Sequence, residues 1–175
     1  REHLDFYSEE ELTQIIKSNA KKLDLEIDGE SANIIAIRSR STPRIANNRL
    51  RCVRDYVTAR ANGKIDPDIT RAALLKWEID ILGLDKMDRK YLETLIDVFR
   101  GGPAGVEAIA HTINTSSDTL IDEVEPFLLR TAMVVRTPRG RIATQRAFDH
   151  MGMAGKAVDI DDASARDDQD TLFTE

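Results

Sequence analysis

The sequence predicts a mainly α fold: a small four-helix domain followed by a winged helix-turn-helix with a β-hairpin wing. Two observations carry this. Apolar residues recur at helical spacing in segments bounded by caps, glycine and proline. One short stretch, Met133–Ala143, instead shows an apolar run on each side of a Pro-x-Gly turn, and it follows three consecutive helical segments. Aromatic content is only 5%, so aliphatic packing supplies most of the core.

Ser8-Glu9-Glu10-Glu11 is a capping box, and Leu12, Ile15 and Ile16 follow at helical spacing, so the first helix runs to about Lys22. Asp28-Gly29 breaks the chain before a second short helix over 31–39. Thr42-Pro43 opens the longest helix, with a capping residue and then proline in the first turn. Its apolar stripe is Ile45, Ala46, Leu50, Val53 and Val57; Arg44, Arg51, Arg54 and Arg60 lie off it, and Asn62-Gly63 stops it. Asp66-Pro67 starts the fourth helix, which extends to about Asp80.

Gly83 marks the expected boundary between domains. Asp85 caps a helix bearing Met87, Tyr91, Leu92, Leu95, Ile96 and Phe99, which Gly101-Gly102-Pro103 ends. A helix over 104–113 follows, then a third that begins after Ser116, Ser117 and Asp118 and carries Leu120, Ile121, Val124, Phe127 and Leu128. Pro126 lies inside that pattern and should kink or shorten it. The hairpin comes next, and a short helix from Thr144 to about Met151 closes the fold.

The hairpin tip reads Arg136-Thr137-Pro138-Arg139-Gly140-Arg141. Arginine at a stiff turn suits phosphate, because its planar fork donates two parallel hydrogen bonds. Alternation along the ribbon puts Arg136 and Arg141 on one face. These two, with Arg139 at the tip, are the candidate contacts to nucleic-acid backbone, made without reading bases. That role requires the guanidinium groups to point outward, away from carboxylates of their own domain.

Bulk composition narrows the function. The net charge is −6, but residues 156–175 hold seven acids against two bases, so the rest of the chain is nearly neutral. Its bases cluster at 38–60 and 130–146. The acidic stretch reads as a disordered tail. No apolar run is long enough to span a membrane, and there is no signal-peptide pattern. Cys52 is the only cysteine, which excludes an internal disulfide and fits a cytoplasmic location. There is no phosphate loop and no dinucleotide fingerprint, and His3, His111 and His150 lack metal-ligand spacing.

Six motifs occur in order: Leu4-Asp5-Phe6-Tyr7, Thr42-Pro43-Arg44-Ile45-Ala46-Asn47, Met87-Asp88-Arg89-Lys90, Gly101-Gly102-Pro103, Glu125-Pro126 and the hairpin tip. In this register the chain resembles the C-terminal half of the RuvB family, bacterial motors that drive branch migration of Holliday junctions. The resemblance implies an AAA+ small helical lid over 1–80, a winged-helix DNA-binding domain over 81–155 and the acidic tail over 156–175. It implies that a large ATPase domain with the phosphate loop and the Mg²⁺-holding acid precedes residue 1, so this chain alone should be inactive as an ATPase.

The resemblance further implies ATP as cofactor and duplex and Holliday-junction DNA as substrates. RuvA and RuvC are the implied partners, and the implied assembly is a homohexamer off the membrane. Arg44 matches the second sensor arginine, which reaches the γ-phosphate, and Tyr7 the residue lining the adenine pocket. Some residues depart from the family pattern. Ser117 stands where a DNA-contacting arginine is common, leaving a hydroxyl with one bond to donate. Ser41 replaces a glycine, which would be strained if the position needs positive φ. Asn48 and Cys52 replace arginines, and Cys52 reads as a packing residue.

Two non-enzymatic readings stand beside this one. A winged-helix transcription regulator with an N-terminal ligand or dimerisation domain explains 81–155 equally well but leaves the Thr-Pro-Arg helix start without a task. A protein-interaction bundle whose wing arginines bind acidic partners predicts no DNA binding at all.

Overall fold

The structure, a computed structural model, describes residues 6–60, 64–155 and 157–158. It divides into two compact units, Arg1–Lys86 and Met87–Glu175.

The first unit contains α1 (Glu9–Lys22), β1 (Glu26–Ile27), α2 (Gly29–Ile37), α3 (Pro43–Thr58), β2 (Lys64–Ile65) and α4 (Pro67–Lys76). Both arms of the α1 capping box form: Glu11 N–H donates to Ser8 Oγ at 3.2 Å and Ser8 N–H to Glu11 Oε2 at 2.9 Å. Asp28 caps α2 by accepting from Ser31 N–H at 2.6 Å, and Gly29 is the first helical residue. The Asp28-Gly29 pair therefore starts a helix as well as ending the preceding segment. Asp66 caps α4 in the same way, from Ile69 N–H at 2.8 Å. The expected stop at Asn62-Gly63 lies outside the described residues, and α3 ends before it, at Thr58.

The core of this unit gathers Leu12, Ile16, Ala20, Ala32, Ile35, Ala36, Ala46, Leu50, Val53, Val57, Ile65, Ala73, Leu74 and Ile79. The predicted stripe of α3 is buried, apart from Ile45, which is half-buried. A two-residue parallel pair, Glu26 with Lys64 and Ile27 with Ile65, escaped the sequence reading. Strands this short leave no period to detect. The expected reach of α4 to Asp80 is corrected: the helix stops at Lys76, and Glu78 adopts a φ of 56°.

The second unit begins in α5 (Lys86–Glu93), which continues through a π-helical turn, Thr94–Val98. Then come α6 (Val106–Ile113), α7 (Ser117–Thr119), a second π-helical turn (Leu120–Val124) and α8 (Glu125–Arg130). β3 (Val134–Thr137) and β4 (Gly140–Ala143) form the hairpin, and α9 (Gln145–Met151) follows. Of the two outcomes expected of Pro126, early termination is not observed; the helix is instead distorted beside it. The wider turn lies just ahead of it, with Glu125 N–H bonded to Leu120 O, where the ring would otherwise press on the carbonyl four residues back. The helix then runs on to Arg130.

The hairpin pairs Val134 with Ala143, Val135 with Ile142, Arg136 with Arg141 and Thr137 with Gly140. Ala104 adds a single antiparallel bridge to Arg141, its N–H donating at 3.0 Å and its carbonyl accepting at 2.8 Å. Only glycine fits at 140. Its φ is 140°, and a Cβ there would lie 2.5 Å from Ala104 O. Three helices followed by a two-stranded wing are thus observed in the predicted order.

Candidate functional site

Two surfaces carry the sequence-predicted site residues, one in each unit. The first lies at the start of α3. Thr42 precedes Pro43 in extended conformation, yet its hydroxyl makes no cap; it donates back to Arg40 O at 3.1 Å. No acid lies in the first turn. Pro43 has no N–H and the Ala46 N–H bonds to Thr42 O, so the amides of Arg44 and Ile45, with the helix dipole, give this helix start its positive sign. Arg44 and Arg51 are exposed there and border an open, polar pocket of ≈ 450 Å³ with Ile45, Asn47 and Asn48. Asn47 is fixed by Asn19, whose Nδ2 donates to its Oδ1 at 2.6 Å. Two guanidinium groups and amide donors beside a helix N-terminus form a donor set suited to phosphate oxygens.

Tyr7 is 46% exposed, so its ring is not used up by packing on α1. Cys52 is half-buried and burial raises its thiol pKa, which agrees with packing rather than nucleophilic chemistry. Ser41 does have a positive φ, 55°, and Arg40 before it has 54°. The loop that delivers Arg44 thus contains two successive left-handed residues, neither of them glycine. Among the described residues no cluster of His, Cys, Asp and Glu could hold a metal ion.

The sequence reading missed Arg49. It is 8% exposed, donating from Nε to Arg38 O at 3.1 Å and from Nη2 to Gly83 O at 3.2 Å. Arg40 joins it, donating from Nε to Gly83 O at 3.2 Å and from Nη2 to Asp85 at 2.9 Å. Gly83 is held against the C-terminal end of α2 so closely that a Cβ would stand 2.6 Å from Arg38 O. Arg49 lies one position before Leu50 in the α3 stripe, which was the available signal.

The second surface is the wing, and here one expectation is corrected. Arg136 and Arg141 do share a face, but it is the face turned toward α8, and both close on Glu125. Arg141 donates from Nε to Oε1 at 2.8 Å and from Nη2 to Oε2 at 3.2 Å. Arg136 donates from Nε to Oε2 at 3.0 Å and from Nη2 to the same oxygen. The Tyr91 hydroxyl donates to Oε1 at 2.9 Å. Glu125 is fully buried, whereas the Arg136 side chain keeps 47% of its exposure and that of Arg141 18%.

The reason is electrostatic. Two arginines directly opposite in a ribbon repel, and a carboxylate between them removes the repulsion. Burial alone would raise the Glu125 pKa, but bonds from Arg141, Arg136 and Tyr91 outweigh it and hold the group below the ordinary carboxylate range. The Tyr91 pKa is raised, by burial first and then by the Glu125 charge. The Arg141 pKa is raised by its bonds to Glu125.

Arg139 is half-buried at the tip, and Arg136 is the more open of the two paired arginines. Ser116 caps α7, accepting from Thr119 N–H at 3.1 Å, so Ser117 sits at the N-terminus of the third helix, half-buried. The acidic stretch 156–175 falls, apart from Ala157 and Val158, outside the described residues.

Comparison with known proteins decides the family. Residues 7–80 match the RuvB AAA lid domain and residues 81–152 the RuvB C-terminal winged helix domain. The chain belongs to the RuvB family. A Holliday junction branch migration complex subunit RuvB from Rhodopirellula baltica is 60% identical over 151 residues, which cover 86% of this chain and 41% of that protein. The corresponding subunit from Kosmotoga olearia is 48% identical, with 86% and 44% covered. Among solved structures, the Thermotoga maritima RuvB Holliday junction branch migration motor superposes with a TM-score of 0.82 at 44% identity, covering 86% of this chain and 51% of that one.

The chain thus spans about two-fifths of the length of these curated relatives. Membership does not depend on outward-pointing wing arginines, since both RuvB domains match in register along 7–152. The transcription-regulator alternative is overturned: the domain before the winged helix is a RuvB lid. No helix among the described residues is long and apolar enough to cross a membrane.

Proposed function

We propose that this chain is the lid and winged-helix part of an ATP-driven Holliday-junction branch-migration motor working in the cytoplasm. The observation that carries the reading is the joining, in one chain, of a RuvB lid with an uncapped, arginine-bearing α3 N-terminus to a RuvB winged helix with a cationic wing. ATP fits the first surface by its donor set. Arg44 would reach the γ-phosphate, with Tyr7 beside the adenine, while the phosphate loop and the Mg²⁺ site belong to the large ATPase domain of the full-length motor. When bound, ATP supplies the energy of phosphoryl transfer. What this chain contributes is a fixed positive charge at a helix start, placed to follow the terminal phosphate.

The requirement that the wing arginines avoid carboxylates of their own domain is not met, since Arg136 and Arg141 both bond Glu125. The wing reading rests instead on the Arg136 side chain, which remains 47% exposed. Arg136 would meet duplex backbone, with Arg139 at the tip, Arg141 behind and Ser117 adding a single hydroxyl donor at the third helix. A homohexamer acting with RuvA and RuvC completes the reading. The chain alone does not hydrolyse ATP. Binding to two unrelated duplexes tests the DNA half: affinities should agree within a few-fold, whereas a sequence-reading regulator would separate them by about 10³ or more. For the nucleotide half, Arg44→Ala in the full-length motor should abolish most ATPase activity while leaving duplex binding intact. Hydrolysis at the wild-type rate would remove Arg44 from this role.

A further inference from the structure

We propose that Glu125 is a positioning residue for DNA binding: it holds Arg136 in the one arrangement from which the guanidinium meets a phosphate. The inference rests on reading the wing as a backbone-binding element, and it adds a residue buried beneath it.

The geometry supports this step by step. Arg136 and Arg141 are directly opposed in the ribbon. Each engages Glu125 through Nε and Nη2, so the bonds to the carboxylate leave Nη1 of each on the far side. The carboxylate is itself fixed: Glu125 is 0% exposed, and the Tyr91 hydroxyl bonds Oε1 at 2.9 Å. The two arginines differ in reach, with 47% of the Arg136 side chain exposed against 18% for Arg141. Arg136 is therefore the contact and Arg141 the strut beside it. A free arginine loses rotamer freedom when it grips a phosphate; one already clamped by a buried carboxylate has lost it beforehand.

Charge and position predict opposite signs, which makes the idea testable. Glu125 places a negative charge beneath a phosphate site. If only charge mattered, Glu125→Gln would tighten binding. If Glu125 positions Arg136, the same change loosens it, by about two- to tenfold for one re-mobilised side chain.

The measurement is fluorescence anisotropy of this chain on a labelled duplex at about 50 mM salt and over a salt series, with circular dichroism to confirm folding. Arg136→Ala should weaken binding and lower the salt slope by about 1. Glu125→Gln should weaken binding in the native background and change nothing in the Arg136→Ala background. Glu125→Asp, which keeps the charge but draws it back by one methylene, should fall between wild type and Glu125→Gln and serves if Glu125→Gln does not fold.

Equal or tighter binding by Glu125→Gln overturns the proposal, as does a loss that adds in full to that of Arg136→Ala. With Glu125→Asp alone, unchanged binding overturns it. An unchanged affinity and slope for Arg136→Ala would instead remove the wing-contact reading and the proposal together.

Discussion

Truncating Glu125 to alanine removes the centre of the wing's polar cluster, and its cost can be worked from the partners left behind. The Tyr91 hydroxyl is buried and loses the acceptor it bonds at 2.9 Å; an orphaned hydroxyl costs about 1–3 kcal/mol. Arg141 is 18% exposed and stays charged without a counter-ion, and breaking a buried pair from one side costs about 3–5 kcal/mol. Arg136 adds little, because at 47% exposure solvent screens it. These effects overlap, since one carboxylate serves all three partners, and the expected loss is about 3–5 kcal/mol.

In a domain of this size that lowers Tm by more than about 12 °C. Differential scanning calorimetry of this chain, read on the transition of the second unit, measures it. The pH dependence follows from the depressed Glu125 pKa. The carboxylate's stabilisation is complete above the unfolded-state value, about 4.3, and is lost as pH falls through the lower folded value. The gap between wild type and Glu125→Gln should therefore be full near neutrality and narrow below about pH 4. A loss for Glu125→Ala under about 1 kcal/mol, the size of a surface pair, would refute the reasoning.

Three other substitutions have defined expectations. Arg141→Ala should destabilise the winged-helix unit by about 2 kcal/mol or more, against about 1 kcal/mol or less for Arg136→Ala, in urea titrations followed by circular dichroism. Gly83→Ala forces a Cβ to within 2.6 Å of Arg38 O at a φ of 86°, so the first unit should lose about 1–3 kcal/mol in the same titration. Ser41→Gly relieves a left-handed serine and should raise the stability of that unit, by up to about 1 kcal/mol, which a higher Tm would register.

Most of the helical framework was legible in the sequence because local chemistry enforces it. Ser8 with Glu11, Thr42 with Pro43 and Asp66 with Pro67 each signal a helix start within a few residues. At the candidate site, the placement of Arg44 in the first turn of α3 was legible because Thr42-Pro43 marks the helix start; its role came from the family resemblance. What stayed hidden depends on distant partners. Glu125 is separated from Tyr91 by 34 residues and from Arg141 by 16. It nonetheless left a trace, as an acid between Val124 and Phe127 facing a pair of cross-strand arginines that require an anion. The Ala104 bridge and the β1–β2 pair left none, because one or two backbone hydrogen bonds impose no side-chain pattern. Arg49 hid behind its charge: its neighbours define a stripe, and the chain uses its head group to satisfy two backbone carbonyls.

The convergence of Arg40 and Arg49 on the carbonyl of Gly83 has a mechanical consequence. The peptide at Gly83 is tied to the loop before α3 through Arg40 and to the middle of α3 through Arg49. The two bonds tie the position of Gly83 to the helix that presents Arg44.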